Sequence, residues 1–130
     1  MWKRVFLLGC FGASLGLVFA QQGHPLTGTW NGDWGSTPAQ RNQVTLVMKW
    51  DGQKVTGLMN PGPDATPLAT VTMNPAGWTV RIELDTKDQA GQPVHVVAEG
   101  KLDDLGGYHR TITGTWTQGA VKNTFKLTRD

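Results

Sequence analysis

The chain has 130 residues, which is enough for one domain with its own hydrophobic core. Its 12 lysines and arginines exceed its 10 aspartates and glutamates by two, and two of the basic residues, Lys3 and Arg4, lie close to the N-terminus. The rest of the chain is neutral and has no cysteine apart from Cys10. Its composition therefore gives no reason to expect a nucleic-acid partner, a membrane partner or a disulfide framework.

Residues 1–20 have the order of a secretory signal peptide: a short basic start, an apolar run and small residues near the end. We expect cleavage after Ala20 and a secreted or periplasmic mature protein. Residues 7–10 (LLGC) also resemble a lipobox, in which Cys10 would carry a lipid and anchor the chain to a membrane. The apolar run continues well beyond Cys10, which favours cleavage after Ala20 instead.

Residues 27–130 form the predicted domain, which follows a short tail at 21–26. Apolar and polar side chains alternate along it with a period of two, as in strands with one buried face, and turn residues separate the runs. Consecutive antiparallel pairing predicts an all-β fold, an eight-stranded antiparallel up-and-down (meander) barrel. A two-sheet β-sandwich is the alternative, because strand spacing does not separate the two. The predicted strands are 27–34, 43–50, 54–60, 68–74, 78–85, 93–102, 109–118 and 121–129.

The sequence TGTW occurs twice, at residues 27–30 in the first predicted strand and at 113–116 in the seventh. In both copies the glycine and the tryptophan share one face of the strand, and the threonines face the other way. A glycine two residues before a tryptophan leaves room for a large ring or for a close approach of two backbones. The repeat therefore predicts packing within a barrel and does not by itself indicate a ligand.

The first strand also resembles a known group of proteins. Residues 26–30 (LTGTW), Gly32 and residues 34–36 (WGS) are similar to the first strand of the avidin and streptavidin family. More broadly, they resemble the Gly-x-Trp opening of calycin barrels, which include lipocalins and fatty-acid-binding proteins. The resemblance implies a small barrel with a ligand inside. Shorter similarities to avidins follow in chain order at 51–57 (DGQKVTG), 77–80 (GWTV) and 123–125 (NTF).

The biotin site of that family is matched only in part. Ser36 matches the serine that binds the ureido oxygen of biotin, and Asn123 matches the last-strand residue that accepts a hydrogen bond from a ureido N–H. Other positions differ: Gly32 replaces an asparagine, Met59 replaces a tyrosine and Ile82 replaces a tryptophan. The resemblance thus implies an avidin-like shape without biotin binding.

An inward apolar face predicts that the protein binds a small, mostly apolar molecule in a tryptophan-lined cavity, without catalysis. Arg110 and Asn123 are polar exceptions on this face. They would either meet a polar head of the ligand near Asp33 and Ser36, or cap a barrel end and satisfy a buried backbone group. The predicted interior comprises Trp30, Trp34, Leu46, Met48, Trp50, Met59, Met73, Trp78, Ile82, Ile112, Trp116, Phe125 and Leu127. The candidate cavity residues are Trp30, Asp33, Ser36, Met59, Trp78, Ile82, Arg110, Trp116 and Asn123.

Arg129, near the end of the last strand, resembles the calycin arginine that packs over the first-strand tryptophan. The resemblance assigns it a structural role in closing the barrel, through a cation–π contact. A filled structural barrel that acts through its outer surface or through an oligomer interface is the alternative to ligand binding.

The sequence also contains weak signals for a haem site and for a sugar site. Residues 28–32 (GTWNG) resemble the start of nitrobindin-type haem barrels, but a haem ligand must point inward, and His95 and His109 lie on the polar face, so no cofactor is expected. Trp34 and Trp50 near strand ends could stack on a sugar, but rim packing is the favoured interpretation.

Catalytic groups are sparse in the sequence. No histidine spacing indicates a metal site. Glu83 and Glu99 are expected to face water beside basic residues, whereas an acid–base pair needs an enclosed site. We therefore expect no enzymatic activity and no metal.

Overall fold

A computed structural model describes residues 24–107 and 109–130; the predicted signal peptide and the lipobox lie outside these residues. One antiparallel sheet curls into a half-barrel, with the strand order β4-β3-β2-β1-β9-β8-β7-β6-β5. The two-sheet alternative is therefore not what forms. The nine strands are β1 (Gly28–Thr37), β2 (Gln40–Trp50), β3 (Val55–Met59), β4 (Thr66–Pro67), β5 (Thr70–Asn74), β6 (Thr79–Lys87), β7 (Pro93–Asp103), β8 (Thr111–Gln118) and β9 (Val121–Arg129).

The strand count of eight was wrong, because two short strands with different neighbours stand where one was predicted at 68–74: β4 lies just before that range, and β5 lies within it. β4 pairs with β3, whereas β5 pairs with β6. Between them, the N–H of Leu68 donates to the carbonyl of Gly57 on β3 (3.0 Å), and the N–H of Ala69 donates to the carbonyl of Glu83 on β6 (2.8 Å). The chain thus changes partner between Leu68 and Ala69.

The meander gives the half-barrel two distinct ends. We call the upper end the one formed by the connections at 38–39, 60–65, 88–92 and 119–120, and the lower end the one formed by 51–54, 75–78 and 104–110. β1 runs from the lower end to the upper end and pairs with β2 on one side and with β9 on the other. The first and last strands of the chain are therefore hydrogen-bonded neighbours.

The core lies inside the curl and is built from the inward face of every long strand. Trp30 and Trp116, the two tryptophans of the TGTW repeat, are 0% and 1% exposed. A side chain at Gly114 would collide with the backbone of β7 at Glu99, so the second copy permits a close strand approach. The buried apolar residues are Leu26, Trp30, Val44, Leu46, Met48, Val55, Met59, Val80, Ile82, Leu84, Val96, Ala98, Leu102, Ile112, Trp116, Phe125 and Leu127.

Two predicted positions differ from the structure at the lower end. Leu26, assigned to the tail, is fully buried in the core. The inward prediction for Trp78 was wrong: the ring is 36% exposed. Trp78 precedes β6 with a φ of 53°, a left-handed conformation that interrupts the alternation which would have turned its side chain inward. Trp34, Trp50 and Met73 are partly buried and pack against the core.

Within the described residues, no helix is long and apolar enough to span a bilayer.

Candidate functional site

A depression of about 270 Å³ opens at the upper end of the half-barrel. We call it the mouth. Three parts of the chain build it: the second half of β1, the region around the β6–β7 connection, and the β8–β9 hairpin. Its volume is near the lower end of the range of small-molecule pockets, roughly 300–1,000 Å³. The lining residues are Trp34, Asp88, Val94, Gln118, Val121 and Asn123.

Aromatic rings connect the mouth to the core. Trp34 stacks on Trp116 with ring centroids 5.4 Å apart and planes 6° apart. Trp116 in turn meets the edge of Phe125 at 5.9 Å. Since Trp116 covers one face of the Trp34 ring, the surface that Trp34 presents to the mouth is the opposite face or the ring edge. The mouth therefore has an aromatic wall that is held rigid by the core behind it.

Two amide side chains hold the indole of Trp116 and its backbone. The Trp116 Nε1–H donates to Gln118 Oε1 (3.3 Å), and Asn123 Nδ2 donates to the Trp116 carbonyl (3.2 Å). Asn123 is only 6% exposed, which makes it the buried polar side chain of the described residues. A carbonyl can only accept, so this bond fixes which way the Asn123 amide is turned and directs its Oδ1 away from Trp116.

Asn123 Oδ1 receives no hydrogen bond from the described residues. In that part of the chain the only enclosed side-chain polar atom without a partner is Thr27 Oγ1, so Asn123 Oδ1 is not sealed off from solvent. Asn123 lines the mouth, and the mouth is where a hydrogen-bond donor can reach this oxygen. A nearly buried acceptor that opens only into a small depression is a polar group placed for a ligand or for ordered water.

Asp88 contributes the charge of the mouth. Its Oδ1 accepts hydrogen bonds from the backbone N–H groups of Ala90 (3.0 Å) and Gln92 (2.9 Å), which shapes the β6–β7 connection. The carboxylate is thereby fixed at the rim by its turn. In the part of the chain that the structure describes, no lysine, arginine or histidine lines this depression.

The lower end is plugged by the chain itself. The Trp30 Nε1–H donates to the Leu26 carbonyl (2.9 Å). Arg110 donates to the carbonyls of Pro25 (2.9 Å) and Leu105 (3.4 Å). Burial and the nearby Arg129 lower the pKa of Arg110. Arg110 therefore holds the plug, at the opposite end of the half-barrel from Asn123, and the two do not converge on one ligand head.

Arg129 lies where β9 meets β1. It pairs with Trp30, and its guanidinium donates to the Thr27 carbonyl (3.3 Å). Its stem packs over Gly28, where a β-carbon would come within 2.9 Å of the Arg129 side chain; with a φ of 136°, this position suits glycine. These contacts join the first and last strands.

The other predicted site residues do not gather at the mouth. Met59 and Ile82 are packed in the core. Asp33 accepts two hydrogen bonds from Arg41 (2.9 and 3.1 Å), forming an ion pair between β1 and β2. Ser36 is exposed, in a stretch where the β1–β2 register shifts. Of the nine predicted cavity residues, the structure brings Trp116 and Asn123 into direct contact next to the mouth.

Other depressions have less to offer a ligand. One of about 530 Å³ lies over β5, β6 and β7, but two of its charged residues, Arg81 and Glu99, pair with each other (2.9 Å). Another of about 480 Å³ lies at the lower end, where His24 stacks on Trp50 at 4.7 Å. Burial lowers the pKa of His24, whose Nδ1 accepts from the Leu26 N–H. Ring stacking and chain contacts thus already occupy these groups.

A polar cluster covers the outer face of β6 and β7. His95 Nδ1 lies 2.8 Å from Asp85 and Nε2 lies 3.1 Å from Glu83. The hydrogen bonds to Asp85 and Glu83 raise the pKa of His95, and the bonds from His95, Thr70 and Arg81 lower the pKa of Glu83. Each group is solvent-exposed or nearly so, which is unlike an enclosed acid–base site. Among the described residues, no group of three or more histidine, cysteine, aspartate or glutamate side chains is arranged so that it could hold a metal ion.

Comparisons with protein-family models, with curated proteins and with solved structures returned no match. The mouth must therefore be interpreted from its own geometry. Of the lining residues, the sequence pointed to Trp34 and Asn123 but not to Asp88, Val94, Gln118 and Val121. Their position in the predicted meander could have identified them, because the 88–92 and 119–120 connections lie at the same end of the sheet as the end of β1.

Proposed function

We propose that this protein is a non-catalytic binding protein that holds one small, mostly apolar molecule at the mouth. The sequence predicted a binding cavity inside the barrel. The core residues there are buried against one another. We therefore place the binding site at the upper end. The observation that carries the proposal is Asn123, a nearly buried amide with an open acceptor beside the Trp34 ring. An apolar wall with one convergent polar group is the usual composition of a small-molecule site.

The proposal includes a closed antiparallel meander barrel. The bonds of Leu68 to β3 and of Ala69 to β6 support it, because one segment then joins both edges of the curled sheet. Closure would remove the exposed edges that otherwise invite strand pairing between molecules. The proposal also retains export through the N-terminal signal peptide, which rests on the sequence of residues 1–20.

Binding of N-phenyl-1-naphthylamine, a neutral apolar fluorescent probe, tests the position of the site. We expect its emission to rise with the native protein and to rise far less with Val121→Arg, which fills the mouth from a position that is 58% exposed. Leu58→Arg, on the outer side of β3 and 42% exposed, is the matched control and should bind the probe normally. No emission rise, or an equal rise for both variants, would reject the mouth and favour the filled structural barrel.

A further inference from the structure

The lining of the mouth has an electrostatic preference. Among the described residues that line it, Asp88 is the one ionisable group, and none is basic. The two nearest lysines in sequence point elsewhere: Lys87 lines a separate depression, and Lys122 is exposed and alternates with the inward Asn123. An anionic ligand would meet a carboxylate without any compensating cation, so the charge of the mouth favours a neutral or positively charged guest.

The hydrogen-bonding groups of the mouth further restrict the chemical class of its ligand. Asn123 uses Nδ2 on the Trp116 carbonyl, which leaves Oδ1, an acceptor. Asp88 uses Oδ1 on two backbone N–H groups, and no hydrogen bond from the described residues engages its second oxygen. Gln118 uses Oε1 on the Trp116 indole. The lining also holds two donors, the Gln118 amide N–H₂ and the Trp34 indole N–H. The open acceptors, Asn123 Oδ1 and the second Asp88 oxygen, are the atoms that a guest with N–H donors satisfies.

The Trp34 ring adds a third preference in the same direction where the face not covered by Trp116 meets the guest, because only a ring face, and not its edge, attracts a cation. A cation near the face of an indole is attracted by the ring quadrupole, and the attraction is larger where water is excluded. Val94 and Val121 form an apolar side of the mouth. Neutral sugars also stack on tryptophan and can donate a hydroxyl to Asp88, but they carry no positive charge to attract its carboxylate.

From these observations we infer that the guest of the mouth is a small organic ammonium compound. Its N–H groups bond to Asn123 Oδ1 and to the Asp88 carboxylate, and its apolar body lies against Trp34, Val94 and Val121. This inference rests on the proposed function, since it names the ligand class of the same site.

Three probes of one shape test it by titration calorimetry at low ionic strength: benzylammonium, benzyl alcohol and phenylacetate. We expect benzylammonium to bind about tenfold more tightly than benzyl alcohol, the ratio that corresponds to a cation–π contact plus one charged hydrogen bond in a half-exposed site. Phenylacetate should bind most weakly. Methyl glucoside, a neutral sugar, should bind more weakly than benzylammonium.

Asp88→Asn tests the charge without removing the turn, because the asparagine oxygen can still accept from Ala90 and Gln92. It should weaken benzylammonium binding several-fold more than benzyl alcohol binding. Asp64→Asn makes the same charge change in the loop at 60–65, outside the mouth, and should leave both affinities as in the native protein.

The outcomes separate the two proposals. Equal binding of benzylammonium and benzyl alcohol, or tighter binding of methyl glucoside, overturns the ammonium inference and leaves the mouth as a binding site. An equal effect of Asp88→Asn and Asp64→Asn also overturns it. If none of the four probes binds and N-phenyl-1-naphthylamine does not bind either, the proposed function itself fails.

Discussion

At the scale of single residues, the two buried tryptophans show how polar N–H groups are accommodated in the core. Trp30 and Trp116 are almost fully buried, and each directs its Nε1–H to a nearby oxygen: the Leu26 carbonyl and Gln118 Oε1. The rings therefore bury a large apolar area without leaving an unpaired donor. The first bond fixes the plug at the lower end, and the second fixes the wall of the mouth.

Trp30→Phe removes one of these bonds and leaves the Leu26 carbonyl without its donor. We expect a loss of about 1–3 kcal/mol in the free energy of unfolding, the usual cost of a buried group deprived of its partner. Urea titration measures it. Trp78→Phe is the matched control, since Trp78 is 36% exposed and should change stability by no more than about 0.5 kcal/mol. Equal losses for the two variants would contradict the role of the Leu26 bond.

At the scale of elements, the period-two alternation located every long strand and the order in which the strands pair. It ended the first strand too early, at 34, and began the second too late, at 43. The residue pair Pro38–Ala39 and the bond from the Gln40 N–H to Thr37 Oγ1 make a tight hairpin turn that alternation does not reveal. It failed at Trp78, where a positive φ reverses the side chain. Local backbone conformations of this kind depend on tertiary contacts, such as the bond from the Leu102 N–H to the Trp78 carbonyl.

Two histidines, His95 on β7 and His24 at the lower end, predict opposite pH dependences of the free energy of unfolding. The bonds to Asp85 and Glu83 raise the folded-state pKa of His95 above 6.5. The stabilisation that His95 gives the folded state is therefore fully present below its unfolded-state pKa and is lost as the pH rises through its folded-state pKa. His24 has the opposite sign: burial lowers its pKa, so its contribution is present above 6.5 and is lost as the pH falls below that value.

Chemical unfolding of His95→Gln and His24→Gln from pH 5 to pH 9 checks both signs. The stability deficit of His95→Gln relative to the native protein should shrink as the pH rises. The deficit of His24→Gln should instead grow between acid pH and neutrality. Parallel pH profiles for the two variants would show that neither histidine has the pKa shift described above.

At the scale of the whole molecule, the sequence predicted a barrel but not which residues of distant strands pair along the curled sheet. Alternation predicts neighbours along the chain, but the pairing of β1 with β9 and the divided segment at 66–74 join residues far apart in sequence. The same holds for the mouth, whose lining comes from three parts of the chain that only the curl brings together. Asn123 was identified by resemblance; its open Oδ1 depends on the Trp116 contact, which only the structure reveals.

The divided segment should be the weakest part of the sheet. β4 has two residues, and a single hydrogen bond on each side holds Leu68 to β3 and Ala69 to β6. Between β8 and β9, by contrast, an uninterrupted register runs from Thr111 to Gln118. Amide protons protected by few neighbouring bonds exchange through local opening, whereas those in a long ladder require a larger unfolding event. Native-state hydrogen exchange should therefore show lower protection at Leu68 and Ala69 than in the β8–β9 ladder. Protection at the global value for both would mean that the barrel closes and opens as one cooperative unit, with no weak seam.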